Sequence, residues 1–302
     1  MSRPRTFMPI WGPVLLLAAI SACGPAAAQT SADADIVVTA ASRERAQAFV
    51  SQVAIAPQTS DQLGRWDRAI CVGVAGLPAR QGQFIADRIA QRAYGVGLQP
   101  GASGCQPNVT IMIAPDGNAM AQQMFDNEPS LFAHRYETGV STLGQEALTA
   151  FINTERPVRW WHVTREVSAD GEILSSENTS MGAGGFSSEV VRSTGSRLTS
   201  TTRQDFARVI VIVDARRTGS VQLAALADYI AMVTLAQVNP DADASGYPSI
   251  MNLFASRGSA ANQLTDWDLA YLDALYATDR DSASLQMQQS DIAGRMIGNG
   301  SS

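Results

Sequence analysis

The residues able to do chemistry in this chain are few and far apart. Its only histidines are His134 and His162, its cysteines are Cys23, Cys71 and Cys105, and every basic residue is arginine, with no lysine anywhere. An acid–base pair could be drawn from Asp228 and His162, or a nucleophile from the serines between Ser175 and Ser200, because groups distant in sequence can converge in a fold. Such a protein would be an envelope hydrolase whose active site no local spacing announces. Each residue also has a plainer reading. A lone histidine in a strand usually holds a half-buried hydrogen bond. Trp160 and Trp161 read first as packing, with Trp160 and His162 the pair that would line a groove. Cys71 and Cys105 each open an apolar, strand-like run. An even pair in an exported chain points to a disulfide, two buried thiols being the alternative. No further cysteine or histidine lies near either one, so a metal site there is excluded.

The elements that must position these residues follow from hydrophobic period. Residues 69–75 and 108–114 are apolar runs of strand length, each closed by glycine or proline. Between them, residues 81–94 place Phe84, Ile85, Ile89 and Ala93 at helical spacing with Arg88 and Arg92 interleaved, and Gly95 and Gly97 end the helix. Strand, helix, strand is a βαβ unit with a right-handed crossover and parallel strands. Two or three helices over residues 117–156 are broken at Pro129 and Gly139. Residues 158–167 then alternate as a strand, with Trp160, His162 and Thr164 on one face and Trp161, Val163 and Arg165 on the other. A Ser/Thr/Gly-rich loop leads to a return strand at residues 197–202, and a further apolar strand covers 207–215.

The C-terminal half reads as a long apolar helix over residues 221–238, a Ser249-Ile250-Met251-Asn252 turn, and a helix from Leu264 to Tyr276. This order resembles the active-site half of a metzincin-type zinc peptidase. Such an enzyme places two histidines four residues apart on one helical face beside an acidic general base. On that frame Ala227 and Ala231 take the first two ligand positions, Asp228 the base and Gln237 the third ligand, with Met251 in the Met-turn. Alanine offers no lone pair, so the resemblance implies the scaffold without its zinc, no cofactor and no catalysis. The mature chain also resembles a secreted protein family of alphaproteobacteria through Arg65-Trp66-Asp67-Arg68-Ala69-Ile70-Cys71 and Arg159-Trp160-Trp161-His162. That likeness implies export and names no activity.

Residues 1–28 read as a signal peptide, with Arg3 and Arg5 before an apolar core too short to span a membrane. The alternative is lipobox cleavage before Cys23, leaving Cys23 lipidated. The product would be periplasmic or secreted, or else an outer-membrane lipoprotein. Residues 29–63 read as a flexible segment. Within it the hexapeptide from Asp35 to Ala40 resembles a TonB box, which would add a strand to TonB; an edge strand or tether is the other reading. The fold expected is α/β, one domain over residues 64–281 on a mixed sheet, followed by a helix and tail at 282–302. With a net charge of −6 and no basic cluster, nucleic acid is excluded as a partner. An envelope protein or peptide is the expected partner class.

Overall fold

The computed structural model describes residues 30–133, 139–172, 196–255 and 261–298, with side chains from residue 40 onward. The described residues begin in helix α1 (Thr30–Val53) and continue through strand β1 (Val72–Ala75), helix α2 (Ala79–Gly95) and strand β2 (Val109–Ala114). These last three form the expected βαβ unit, β1 and β2 pairing in parallel with Val72 opposite Val109. Helix α2 buries Gly82, Ile85, Ile89 and Ala93, one stripe at steps of three and four residues. Phe84, expected in that stripe, falls a quarter-turn off it and is exposed. The disulfide between Cys71 and Cys105 is formed, with Cα atoms 6.0 Å apart.

Helix α3 (Gly117–Asn127), a 3-10 turn (Pro129–Phe132), the short strand β3 (Val140–Ser141) and helix α4 (Gly144–Asn153) follow. Strands β4 (Val158–Ser168) and β5 (Thr202–Asp214) are the longest, and pair antiparallel along their whole length. The return strand expected at residues 197–202 is thus absent but for Thr202, and the strand expected at 207–215 instead extends back to Thr202. A short helix α5 (Ala215–Thr218) leads into α6 (Leu223–Leu235). A 3-10 turn (Ile250–Phe254), α7 (Asp266–Ala277) and α8 (Leu285–Gly298) complete the described residues.

The sheet order is β1-β2-β5-β4-β3, with β2 and β5 parallel and β4 and β3 antiparallel to their neighbours. Both faces are covered, which is why β5 reads as a continuous apolar run rather than an alternation. Val209, Val211 and Val213 face the larger core with α6, while Ile210 and Ile212 face the smaller core with Trp161, Phe151 and Phe132. A bulge opposite the Val163–Thr164 step leaves Ala207 unpaired on β5. It turns Phe206 from the face of Ile210 to that of Val209, where its ring stacks on His162 at 5.0 Å and meets Trp66 at 5.3 Å.

Three boundaries differ from expectation. The segment expected to be flexible, residues 29–63, is helical from Thr30 to Val53, and Ala46, Phe49, Val50 and Val53 enter the larger core. Those four repeat at helical spacing, and the alanine-rich composition around them favours a helix. Residues 35–40 thus lie within α1 instead of an extended strand, and a helix keeps its backbone hydrogen-bonding groups for itself. The compact unit runs over residues 39–302, not 64–281, because α8 supplies Ile292, Ala293 and Met296 to the same core. Among the described residues no helix is long and apolar enough to cross a membrane.

Candidate functional site

Helix α6 is buried on every side from Ala225 to Leu235, as befits a helix that is apolar all round. Ala227 and Ala231, one turn apart, are fully buried and packed into the core. The acid between them is not free. Arg88 and Arg92, one turn apart on α2, each bind both Asp228 carboxylate oxygens, at 2.8 and 2.8 Å and at 3.0 and 2.9 Å. The Leu264 N–H donates to the same carboxylate at 2.9 Å. Burial alone would raise the pKa of Asp228, but hydrogen bonds from Arg88, Arg92 and Leu264 outweigh it and hold the group at about 2. A carboxylate so committed cannot take up a proton near neutral pH, which is what a general base must do.

Beyond α6 the third ligand position holds a strand-like segment in place of a metal. Gln237 Oε1 accepts the Gly64 N–H at 2.7 Å, and the Gln237 carbonyl accepts from Ile55 N–H at 3.2 Å. Ala54 bridges Val238, and the Trp66 indole donates to Thr234 O at 2.8 Å. From the other side, Gln288 Oε1 accepts from Leu63 N–H at 2.8 Å and Gln289 Nε2 donates to Ala54 O at 3.2 Å. Residues 54–66 are thereby strapped across the C-terminal end of α6, between it and α8. Gly64 is required there: a Cβ would lie 2.5 Å from Thr164 Cγ2 and 2.7 Å from Gln237 Oε1.

His162 faces this packed region and is 1 % exposed, so it lines no open groove. Its Nε2 lies 2.7 Å from the Val233 carbonyl, which can only accept, so the proton sits on Nε2. Burial drives its pKa down to about 4, the Val233 bond opposing the shift, and the ring is neutral at pH 7. Asp228 and His162 have no partner in common, and the structure does not bring them together as a catalytic pair.

An open cavity of about 230 Å³ lies elsewhere, where β4 passes Val158 to Trp161 and β3 does not yet reach its edge. Both tryptophans line it, together with Phe151 and Ala150 of α4, Ile55 and Pro240. Trp160 donates its indole N–H to Val238 O at 2.9 Å and Trp161 to Phe132 O at 3.0 Å, so both rings offer the cavity only apolar surface. Its polar wall comes from Gln58, Arg156, Arg159, Asn239 and Asp241. Arg156 is paired with Asp241 at 2.5 Å. Arg159, 1 % exposed, gives Nη1 to the carbonyls of Phe151 and Ile152 at the end of α4, at 2.7 and 3.0 Å, and Nη2 to Asn118 Oδ1 at 2.7 Å.

Comparison with known proteins finds no matching family model, no matching curated protein and no matching solved structure.

The Ser249–Asn252 turn packs against α6 and is pinned by a residue the sequence reading passed over. Asp268 accepts from Ser249 Oγ at 2.6 Å, Ile250 N–H at 2.8 Å and Thr265 N–H at 2.9 Å. Burial raises its pKa against these bonds, and with no exposure it serves the turn rather than a substrate. Its signal in the sequence is Thr265-x-x-Asp268, a capping box that starts α7. Met251 is partly buried against the core. Among the described residues no three His, Cys, Asp or Glu groups are placed to hold a metal ion. Cys23, His134, the signal segment and the serines from Ser175 to Ser193 lie outside the described residues.

Proposed function

We propose that this chain is an exported, non-catalytic binding module built on a zinc-peptidase-like scaffold whose metal site has been replaced by packing. The observation that carries the reading is the state of the α6 face. Its two alanines are sealed in the core, its acid is clamped by Arg88 and Arg92, and Gln237 holds the chain's own residue 64. The peptidase-like ancestry draws support from the antiparallel β4 beside β5, from α6 following β5, and from the Met251 turn packed on that helix. Export draws support from the Cys71–Cys105 disulfide and the charged, then apolar, start of the sequence. The partner class is an envelope protein, peptide or small ligand.

The test is elemental analysis of the purified mature protein alongside turnover assays on casein, fluorogenic peptides and aryl esters. The expected result is no stoichiometric zinc and no turnover. Stoichiometric zinc lost on His162→Ala, or turnover lost in a folded Asp228→Asn variant, would overturn the reading.

A further inference from the structure

We propose that the concave surface around Arg68, Arg165 and Arg208 is an anion site, and that the anion it takes is a phosphate monoester. Its place follows from the bulge in β5. On one edge of that strand the Phe206 N–H donates to Arg65 O at 2.9 Å, and the next bond is Val209 N–H to Asn108 O, also at 2.9 Å. In the gap between them Arg68 donates Nη2 to Ala207 O. On the other edge β4 sets Val163 opposite Arg208 and Arg165 opposite Asp205. Alternation puts Arg165 and Arg208 on one face, with Val163 and Ile210. Two open concavities, of about 160 and 480 Å³, share Arg68 and Ala207; Arg165 lines the smaller and Arg208 the larger. None of the three arginines is sealed, Arg68 being exposed and the other two half-buried.

Charge selects the ligand. The acids of the smaller concavity, Asp67 and Asp205, are each bound by both Arg203 and Arg280: Arg203 lies 2.6 Å from Asp67 and 3.2 Å from Asp205, and Arg280 pairs with Asp67 and lies 3.3 Å from Asp205. Two cations therefore answer two acids. Arg65 turns away, to the carbonyls of Thr278 and Asp279 at 2.7 and 3.0 Å. Asp170 and Glu172 are exposed beside Gly171 and form no ion pair among the described residues. Arg68, Arg165 and Arg208 are left with no carboxylate within ion-pair distance among the described residues. Arg208 has one long bond, Nη1 to Ser130 O at 3.4 Å, and the Arg165 side chain has none. Burial lowers the pKa of Arg68 first, and repulsion by Arg165 and Arg208 lowers it further against the pull of Asp205. Three mutually repelling cations in a chain of net charge −6 are a local field that an anion relieves. A carboxylate, with two oxygens and one charge, is filled by a single guanidinium fork. A phosphate monoester has three free oxygens and close to two charges at pH 7, which suits three forks. The larger concavity can hold the ester's organic part against Pro107, Met124, Leu131 and Ile210. Its Gln106 and Thr110 are neutral, and Asn108 is already spent on Cys71 N–H and Ala69 O.

The experiment is calorimetric titration of the intact mature protein with phenyl phosphate and with benzoate, beside co-sedimentation with phosphatidylcholine vesicles carrying phosphatidic acid or phosphatidylglycerol. Phenyl phosphate should bind one to one and at least roughly tenfold more tightly than benzoate, tightening from pH 5 to 7.5 as the second phosphate proton leaves and weakening with salt. Arg165→Gln should weaken binding about tenfold or more while leaving the thermal midpoint unchanged or higher; Arg208→Gln serves if that variant does not fold. Binding of the soluble ester assigns a soluble ligand, whereas binding only to phosphatidic acid vesicles, lost in Arg165→Gln, assigns a lipid headgroup; either upholds the site. Equal affinity for benzoate, or equal sedimentation with phosphatidylglycerol and phosphatidic acid, would overturn the monoester class. No binding in any arm, or binding that both glutamine variants leave unchanged, would overturn the site. No residue of α6 lines these concavities, and none of these results bears on zinc content or turnover, so the site stands or falls apart from the non-catalytic reading.

Discussion

Asp228 shows how a residue can be found by spacing and misread by type. Its place on the helix was legible from the frame that aligns Ala227 and Ala231, but as the general-base position. Its two arginine partners lie 140 and 136 residues away, a pairing that no single helix displays. Removing its charge leaves Arg88 and Arg92 facing each other, 24 % and 18 % exposed, so Asp228→Asn should cost about 3 kcal/mol, read from urea unfolding. With a folded pKa of about 2 against 3.8 unfolded, its contribution is present above pH 4 and fades as pH falls toward 2. His162 acts in a higher window. Its folded pKa of about 4 lies below 6.5, so the unfolded chain binds the extra proton between them, and stability falls as pH drops from 6.5 to 4, by roughly 3 kcal/mol in all. His162→Gln, which can keep an N–H toward Val233, should flatten the stability profile across that window; an unchanged slope would refute the assignment.

At the level of elements, periodicity revealed the βαβ start, β4, α6, α7 and α8, because each has a face or a run whose burial its sequence repeats. It failed where context decides. The extension of β5 back to Thr202 depends on pairing with β4, and the flip of Phe206 depends on a bulge that alternation cannot anticipate. Helix α1 escaped because its core face, Ala46 to Val53, is short and set among polar and alanine residues. The strap over α6 was invisible for the same reason: residues 54–66 carry no period, and their place is fixed by Gln237, Gln288 and Gln289 far downstream. The strap makes its own prediction. Gly64→Ala must push aside Thr164, Gln237 and Phe206, and should lower stability by about 2 kcal/mol while Gly95→Ala, which meets nothing within 4 Å, should not. Thermal melts of the two variants compare them directly.

On the scale of the molecule, the covalent link is local and the packing is not. The Cys71–Cys105 bridge spans 34 residues, and the chain-entropy model assigns such a loop about 4 kcal/mol, so a Cys71→Ala/Cys105→Ala variant or reduced protein should unfold at clearly lower urea. The candidate cavity was half legible. Trp160 was singled out, but its companion Arg159 was seen only as part of a sequence resemblance, and the enclosing α4, Ile55 and Pro240 come from three separate regions. The larger core joins Phe49 of α1 to Ile292 of α8. A nascent chain not yet extended through Ile292 therefore has no complete core to collapse onto. The larger core is therefore complete only once the chain has been made through α8.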